Sequence, residues 1–452
     1  MTLSIAIIGS GPAGFYTADA LMRSCPECEI DIIERLPSPY GLIRGGVAPD
    51  HQTTKKVAKK YEKTALMDHV SYYGNVELNR DISLPELAEF YDAVVLAVGA
   101  PGDKKITIPG SDKQGVHGSA ALVGWYNGHP DFRDLEPDLN VEAAAVIGVG
   151  NVAMDIGRVL MRSPDGLSKS DVPDHVAARI AASPITDTYI FGRRGPADAK
   201  FTNVELREVK HLTTTVPMVK ADQLPDDLDT VLAGLNDRSR RLAERNIRVL
   251  REYSEFNGTE KPKRMHFEFF ASPVEILGGE RVEGLRLERT RVVDGRAEGT
   301  GETFDIKCGL IAAAIGYRAD AIEGAPYDEA RGIIPNVDGR VREGLYAVGW
   351  IKRGPSGVIS SNRPDGETVA AFIHDDFPAG GTGKAGHVGL EKLLFERNVR
   401  WVTFSDWQKL EAMELDNAHD GAPRKKFITV EEMLEALDGG TGACADTRES
   451  AD

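Results

Sequence analysis

The first place in this chain where residue type and spacing allow chemistry is the stretch Gly9-Ser10-Gly11-Pro12-Ala13-Gly14. Gly9 permits a tight turn, Gly11 lets a pyrophosphate approach the backbone, and Gly14 lets a helix pack closely on a strand. Twenty residues after Gly14 stands Glu34. A carboxylate there accepts hydrogen bonds from a ribose diol and disfavours a 2′-phosphate. The turn therefore reads as a site for FAD or NAD rather than NADP. A second stretch, Gly148-Val149-Gly150-Asn151-Val152-Ala153, has the spacing G-x-G-x-x-A. Where the first unit has Glu34, the second has Arg193 and Arg194. Guanidinium forks match phosphate geometry, so this turn asks for a 2′-phosphate and hence for NADPH.

Both turns need a strand before them and a helix after them, and the sequence supplies both. An apolar run over 3–8 reads as a buried parallel strand, and 15–23 as a helix whose N-terminal N–H groups and dipole face the phosphates. A second strand over 30–33 ends at Glu34. In the second unit, 143–147 and 188–191 are the strands and a helix runs to about Arg162. Further strands are expected at 76–78 and 93–98, with a boundary at Pro101-Gly102. Residues 222–255 read as charged helix, while 264–276 and 282–293 alternate like antiparallel strands. The run 309–317 ends at a glycine as 93–100 does, and is read as the return to the first unit. Residues 344–350 feed a glycine-rich loop over 353–359, and 367–374 begin a helix.

The resulting fold class is α/β: two Rossmann-like dinucleotide-binding domains, the NADP domain inserted into the FAD domain. Residues 1–101 and 318–378 are expected to form the FAD-binding domain and 102–317 the NADP-binding domain. Residues 379–437 should form a helical C-terminal extension packed on the FAD domain, and 438–452 a disordered tail.

Composition narrows the function classes. Net charge of −16 argues against non-specific nucleic-acid binding. Four cysteines in 452 residues are no disulfide scaffold. No apolar run approaches the roughly 20 residues of a membrane helix. A core strand beginning at residue 3 leaves no room for a leader, so a cytoplasmic location is expected.

Residues 37–51 carry too many glycines and prolines for a helix and too many apolar residues for a free linker, so they form an ordered loop packed on a ligand. His51, after Ala48-Pro49-Asp50, is its candidate for chemistry. No Cys/His cluster has zinc spacing, and no metal is expected.

Pro39-Tyr40-Gly41-Leu42, Arg44, and Gly45-Gly46-Val47-Ala48-Pro49-Asp50-His51 form one set of motifs. With the second glycine turn, Arg193-Arg194-Gly195-Pro196, Glu205-Leu206-Arg207-Glu208 and Val348-Gly349-Trp350-Ile351-Lys352-Arg353-Gly354-Pro355, the chain resembles the adrenodoxin-reductase family. Within it the likeness is strongest to the bacterial ferredoxin–NADP+ reductase branch. The motifs span residues 3 to about 374, and none falls in the extension. The resemblance implies FAD contacts at Ala13, Glu34, Leu42, Leu78, Trp350, Gly357, Val358 and Ile359. It implies NADP contacts at Val149, Gly150, Asn151, Val152, Arg193, Arg194, Glu205 and Gly357. His51 and Glu208 match the family's pair near the nicotinamide. Val149 stands where relatives often carry a polar residue, and Lys200 where a small one is expected. The implied activity is hydride transfer from NADPH to FAD, then single-electron transfer to a ferredoxin-type iron–sulfur protein.

Two rival readings carry other expectations. Cys25-Pro26-Glu27-Cys28 would suit an NADPH-dependent disulfide or small-acceptor oxidoreductase. The pair lies between the first helix and second strand, at the sheet end away from the ligand, so it is read as incidental. Cys308 and Cys444 are lone cysteines. The other rival is a nucleotide-binding sensor without turnover. For an acidic electron-transfer partner, Lys55, Lys59 and Lys63 are spaced four apart on the basic helix expected over 53–66, and are read as one docking face.

Overall fold

The computed structural model describes residues 1–439, so all but the first two residues of the tail expected over 438–452, Cys444 included, lie outside the described residues. Two six-stranded sheets organise the chain. The first runs in the order Arg340–Arg342, Leu345–Ala347, Ala93–Leu96, Ser4–Ile8, Glu29–Ile33, Val70–Tyr73. Only its edge strand Arg340–Arg342 is antiparallel. Every residue of the central strand Ser4–Ile8 is buried, as a parallel strand covered on both faces requires. The second sheet runs Val116–Gly118, Leu310–Ala313, Ala143–Ile147, Asp187–Phe191, Lys263–Glu268, Thr215–Val219, with all pairings parallel. A three-stranded antiparallel sheet, Ala271–Leu277, Gly284–Val293 and Arg296–Lys307, packs on it.

The two passages of chain between the large sheets lie side by side, Gly102–Asp103 antiparallel to Tyr317–Arg318. This corrects one expectation. The strand within 309–317 pairs with Ala143–Ile147 and completes the second sheet, and the chain turns toward the first only afterwards. Residues 264–276 also divide: Lys263–Glu268 is a parallel member of the second sheet, and the antiparallel partner begins at Ala271, after Phe270 at φ 53°. Residues 76–78 are not a strand; the fifth parallel position is Val70–Tyr73, and Leu78 makes only an isolated bridge to Ile82. The expected helix over 53–66 is two pieces, Gln52–Lys55 and Ala58–Ala65. Residues 222–255 break around Gly234, at φ 80°, into Leu228–Val231 and Asp237–Tyr253.

The extension folds as His387–Glu396, Phe404–Asp416 and Val430–Leu437. Val402 and Gly74 exchange backbone hydrogen bonds at 2.8 Å each, which fixes its entry against the first sheet. Phe404, Trp407 and Leu410 then enter the core that holds Ile5, Phe15, Tyr40 and Tyr61. Trp407 meets Tyr40 edge-on at 6.0 Å, and Phe404 meets Tyr72 at 5.9 Å. Burying an aromatic of this size contributes about 3–5 kcal/mol by the usual cost of truncating one to alanine.

Candidate active site

Gly9 and Gly148 follow the central strands of their sheets at φ 108° and 135°. An added Cβ would strike the Ala97 carbonyl at 2.6 Å in the first case and the Ala314 carbonyl at 2.2 Å in the second. Gly14 is equally confined, with the Gly9 carbonyl at 2.1 Å from its virtual Cβ. Gly11 and Gly150 behave in the opposite way: a Cβ on either meets nothing within 4 Å. Each is the N-cap of its helix, Pro12–Ser24 or Asn151–Leu160, with no side-chain cap and no acid in the first turn. Two helix N-termini therefore face open cradles with unanswered N–H groups, which suits a pyrophosphate in each.

What flanks the cradles differs. Glu34 takes the N–H of Ser10 at 3.0 Å and its hydroxyl at 2.7 Å on one oxygen, and the Leu36 N–H at 3.2 Å on the other. This holds the carboxylate at the mouth of the first turn. Arg193 is exposed and has no ion-pair partner among the described residues. Arg194 pairs with Asp198 at 2.8 Å and donates to the Gly295 carbonyl at 3.3 Å. Their backbone is pinned, Thr290 donating to the Arg193 carbonyl and the Phe270 N–H to that of Arg194.

Other residues marked in the sequence surround the first turn. Gly349, at φ 72°, brings the Trp350 segment against Ala13, whose Cβ lies 2.7 Å from a virtual Cβ. Trp350 stacks on Tyr317 at 5.5 Å and donates to the Ser356 carbonyl. Leu78 packs under the same sheet, and Ile359 on its other side. Val98 and Ile315 past strand ends, Val358 in a glycine loop and Leu42 at the start of the short helix Leu42–Gly45 are exposed apolar side chains. Apolar surface at the carboxyl ends of parallel strands fits a flat ring system. In the second turn, Asn151 accepts the Thr202 N–H at 2.8 Å, while the N–H groups of Lys200 and Phe201 donate to the Val149 carbonyl. These bonds tie the helix Asn203–Glu208 to the second cradle. Val152 packs into the core beneath it.

Between the cradles lies His51. Its loop spans both cores, with Val47 packed on the first and Ala48 buried in the second. His51 Nε2 lies 2.7 Å from Glu208 Oε2 and 3.5 Å from Glu205 Oε2, and Nδ1 lies 3.8 Å from Asp155 Oδ1. Behind them Arg158, 1% exposed, pairs with Asp50 and with Asp155, at 2.5 Å for the latter. Arg162 joins Asp50 at 2.8 Å. Burial works against the His51 imidazolium, but the Glu208 hydrogen bond and the Asp155 and Glu205 carboxylates outweigh it and raise its pKa. Glu208 is lowered: burial opposes this, and the His51 contact prevails. Glu205 and Asp155 are both raised, first by burial and, for Asp155, then by Glu205. The cluster thus brings an imidazole and three carboxylates within reach of one another, which is what proton relay requires. The Tyr126 hydroxyl and Glu205 Oε2 are buried without hydrogen-bond partners among the described residues, and a carboxamide supplies both donor and acceptor for such atoms.

His51, Glu205 and Glu208 also present donor atoms within 4.8 Å of one another, a spacing a cation could use. Arg158 Nε stands 3.8 Å from Glu208 Oε2 and already supplies positive charge there.

Asp50, Asp155, Arg158, Arg162 and Tyr126 were not singled out in the sequence. Asp155 and Arg158 fall at i and i+3 on the helix leaving the second turn, with Arg162 just past its end, a spacing that could have marked the first two. Tyr126 carries no such signal. Cys25 and Cys28 lie before the strand Glu29–Ile33, whose Glu29 pairs with Ser4, at the sheet end away from Gly9. Lys55 leaves the proposed face: its side chain is 11% exposed and its ammonium is held by Asp171 at 2.7 Å. Lys59 and Lys63 are exposed.

Paired dinucleotide cradles around a half-buried imidazole–carboxylate cluster define a nucleotide-dependent oxidoreductase. Residues 3–166 match the family model described as pyridine nucleotide-disulphide oxidoreductase. The chain is 39% identical to the mitochondrial NADPH:adrenodoxin oxidoreductase of Bos taurus, over 96% of this chain and 92% of that protein. It is 38% identical to the Arabidopsis thaliana protein of the same name, over 96% and 95%. NADPH-ferredoxin reductase FprA of Mycobacterium tuberculosis H37Rv is 37% identical over 95% and 98%. The solved structure of Mycobacterium tuberculosis FprA in complex with NADPH superposes with a TM-score of 0.90, at 36% identity over 97% of this chain and all of that one. The chain belongs to the adrenodoxin reductase family, in which FprA also falls.

Proposed function

We propose that the chain is an FAD-containing NADPH–ferredoxin reductase. The observation that carries the reading is the pair of cradles with opposite flanking charge, Glu34 at one and Arg193 and Arg194 at the other, with His51 and Glu208 between them. In the proposal FAD lies at Gly9, Gly11, Ala13 and Gly14, with Glu34 on its ribose and Leu42, Leu78, Trp350, Gly357, Val358 and Ile359 about its ring. NADPH lies at Val149, Gly150, Asn151 and Val152, with Arg193 and Arg194 on the 2′-phosphate and Glu205 and Gly357 toward the nicotinamide. Bound FAD supplies the exchange between a two-electron hydride donor and one-electron acceptors. His51 and Glu208 orient the nicotinamide and move a proton, with Asp155 and Glu205 as the next groups in reach. None of the helices of the described residues is long and apolar enough to cross a membrane.

The partner in this proposal is an acidic ferredoxin-type protein. The loss of Lys55 to Asp171 weakens the lysine face, and Lys60 is engaged by Asp19 and the Tyr16 ring. A stronger cationic face lies on Asp237–Tyr253. Arg238, Arg241, Arg245 and Arg248 are spaced three, four and three apart, exposed, and without ion pairs among the described residues. This helix packs on Asn203–Glu208, which carries Glu205, Glu208 and the exposed Arg207. We assign docking there, with Lys59 and Lys63 secondary.

A purified chain should be yellow and oxidise NADPH rapidly when given a ferredoxin. A colourless protein, or one that reduces disulfides faster than ferredoxins, overturns the reading. Burial pushes the Cys28 thiol up to about 12, which disfavours the disulfide alternative. Reversing Arg241 and Arg245 to Glu should slow ferredoxin reduction at low salt and spare ferricyanide reduction; equal ferredoxin rates move the docking site.

A further inference from the structure

The extension plays no part in the reaction proposed above, yet it reaches the same loop. After Phe404–Asp416 the chain turns back on Glu414, which is fully buried. That carboxylate takes both ends of the Arg44 guanidinium, Arg424 at 3.3 Å and the Phe427 N–H at 2.9 Å. The turn delivers Lys426 between the two cores. Its ammonium, on a side chain 2% exposed, donates to the Arg44 carbonyl at 3.3 Å and to the Asn127 carbonyl at 3.0 Å. It also lies 3.3 Å from Asp171 Oδ1. Asp171 takes Lys55 on both oxygens, at 2.7 and 2.8 Å, and donates its backbone N–H to the Pro49 carbonyl at 3.1 Å. Lys55 ends the short helix whose N-cap is His51.

Three remote segments therefore meet on one aspartate: the His51 loop, the second core through Asp171 and Asn127, and the extension through Lys426. Burying such ions costs several kcal/mol each before their attraction is counted, and apolar replacements often stabilise more. A buried ion cluster is better explained by the single geometry it enforces. Burial works against the Asp171 carboxylate, but Lys426 and Lys55 hold it at about 2. The cluster lines a cavity with Tyr40, Gln52 and Trp407.

We propose that Lys426 and Asp171 form a clasp through which the C-terminal extension sets the position of His51 relative to the second cradle. They are positioning residues for hydride transfer, and that part of the inference rests on the reductase reading. The test uses Lys426→Met, which keeps the stem and removes the ammonium, with Asp171→Asn and Lys426→Arg beside it, all as holoenzymes. Amide exchange over 51–56 should quicken by about tenfold or more in Lys426→Met and Asp171→Asn. Limiting flavin reduction by NADPH should fall by roughly tenfold to a hundredfold, with FAD content and KM for NADPH near parental. Lys426→Arg should recover part of both. The double variant should be no worse than Asp171→Asn alone, as for one unit. Parental exchange over 51–56 in the folded Lys426→Met or Asp171→Asn protein overturns the clasp. So does a fall explained wholly by lost FAD. The exchange comparison needs no turnover, so an unmodified chain that NADPH fails to reduce would overturn only the reductase reading.

Discussion

The two glycine turns share a backbone and differ in how their flanking charges are held. At each, a glycine at positive φ abuts a carbonyl of the neighbouring strand, and a second glycine caps a helix in open space. Glu34, however, is fixed by three donors before any ligand arrives. Arg193 has no ion-pair partner among the described residues, and Arg194 leans on a nearby carboxylate. A prearranged acceptor suits a nucleotide that stays, because little ordering remains to be done on binding. Loosely held cations suit one that comes and goes. In the proposed reading, backbone shape selects a dinucleotide, and the residues ending the next strand select which one and how tightly.

The comparison breaks most completely if the open cradle is filled. Gly11→Val should give a chain without flavin absorbance, since its side chain would occupy the space a pyrophosphate needs. Gly150→Val should keep the colour and lose reduction by NADPH. Full flavin occupancy in the first, or parental reduction in the second, would show that the cradles do not hold these nucleotides.

A smaller effect separates the flanking charges. Replacing Arg193 and Arg194 with alanine should cost about 1.5–3 kcal/mol for each charge-assisted hydrogen bond removed. It should appear in the KM for NADPH, with NADH nearly unaffected, because the phosphate is remote from the reacting carbon. Undiminished coenzyme discrimination would remove the arginines from the phosphate site.

The sequence carried much of this and missed the rest for identifiable reasons. Both turns, and the place of Glu34, Arg193 and Arg194 just past the next strands, were legible because they depend on local spacing. The sheet to which 310–313 belongs was not, since the runs 93–96 and 310–313 end in the same apolar-to-glycine pattern and pairing is non-local. Lys55 looked solvated because its partner Asp171 lies 116 residues away. Arg158 and Asp155 are charges on a helix, and only the arrival of Asp50 and His51, about a hundred residues earlier in the chain, makes them part of a site.

Between the cradles, the His51–Glu208 pair should impose a pH window. The folded-state pKa of His51 is raised, so its contribution to stability is complete below its ordinary value of 6.5 and fades as pH rises through the raised value. That of Glu208 is lowered, so its contribution is present above 4.5 and fades as pH falls through the lowered value. His51→Gln should flatten the alkaline side of a stability profile and slow flavin reduction while FAD stays bound. An unchanged alkaline limb together with parental reduction would make His51 a bystander.

The smallest expected effect sharpens the contrast between fixed and loose charges. Asp198 lies 2.8 Å from the Arg194 guanidinium, and both side chains are about one-third exposed, at 30% and 33%. A carboxylate so placed would compete with the proposed 2′-phosphate for the same fork and repel it. Solvent screens the pair, so its removal is worth only about 0.2–1 kcal/mol, no more than about fivefold in affinity. Asp198→Asn should therefore tighten binding of 2′,5′-ADP by up to that factor, leave 5′-AMP unchanged, and lose its advantage as salt is raised. Titration calorimetry of both nucleotides on parent and variant reads the difference directly. Weaker binding of 2′,5′-ADP in Asp198→Asn would mean that Asp198 orients Arg194 rather than occupying it. The second cradle would then be prearranged in the same sense as the first.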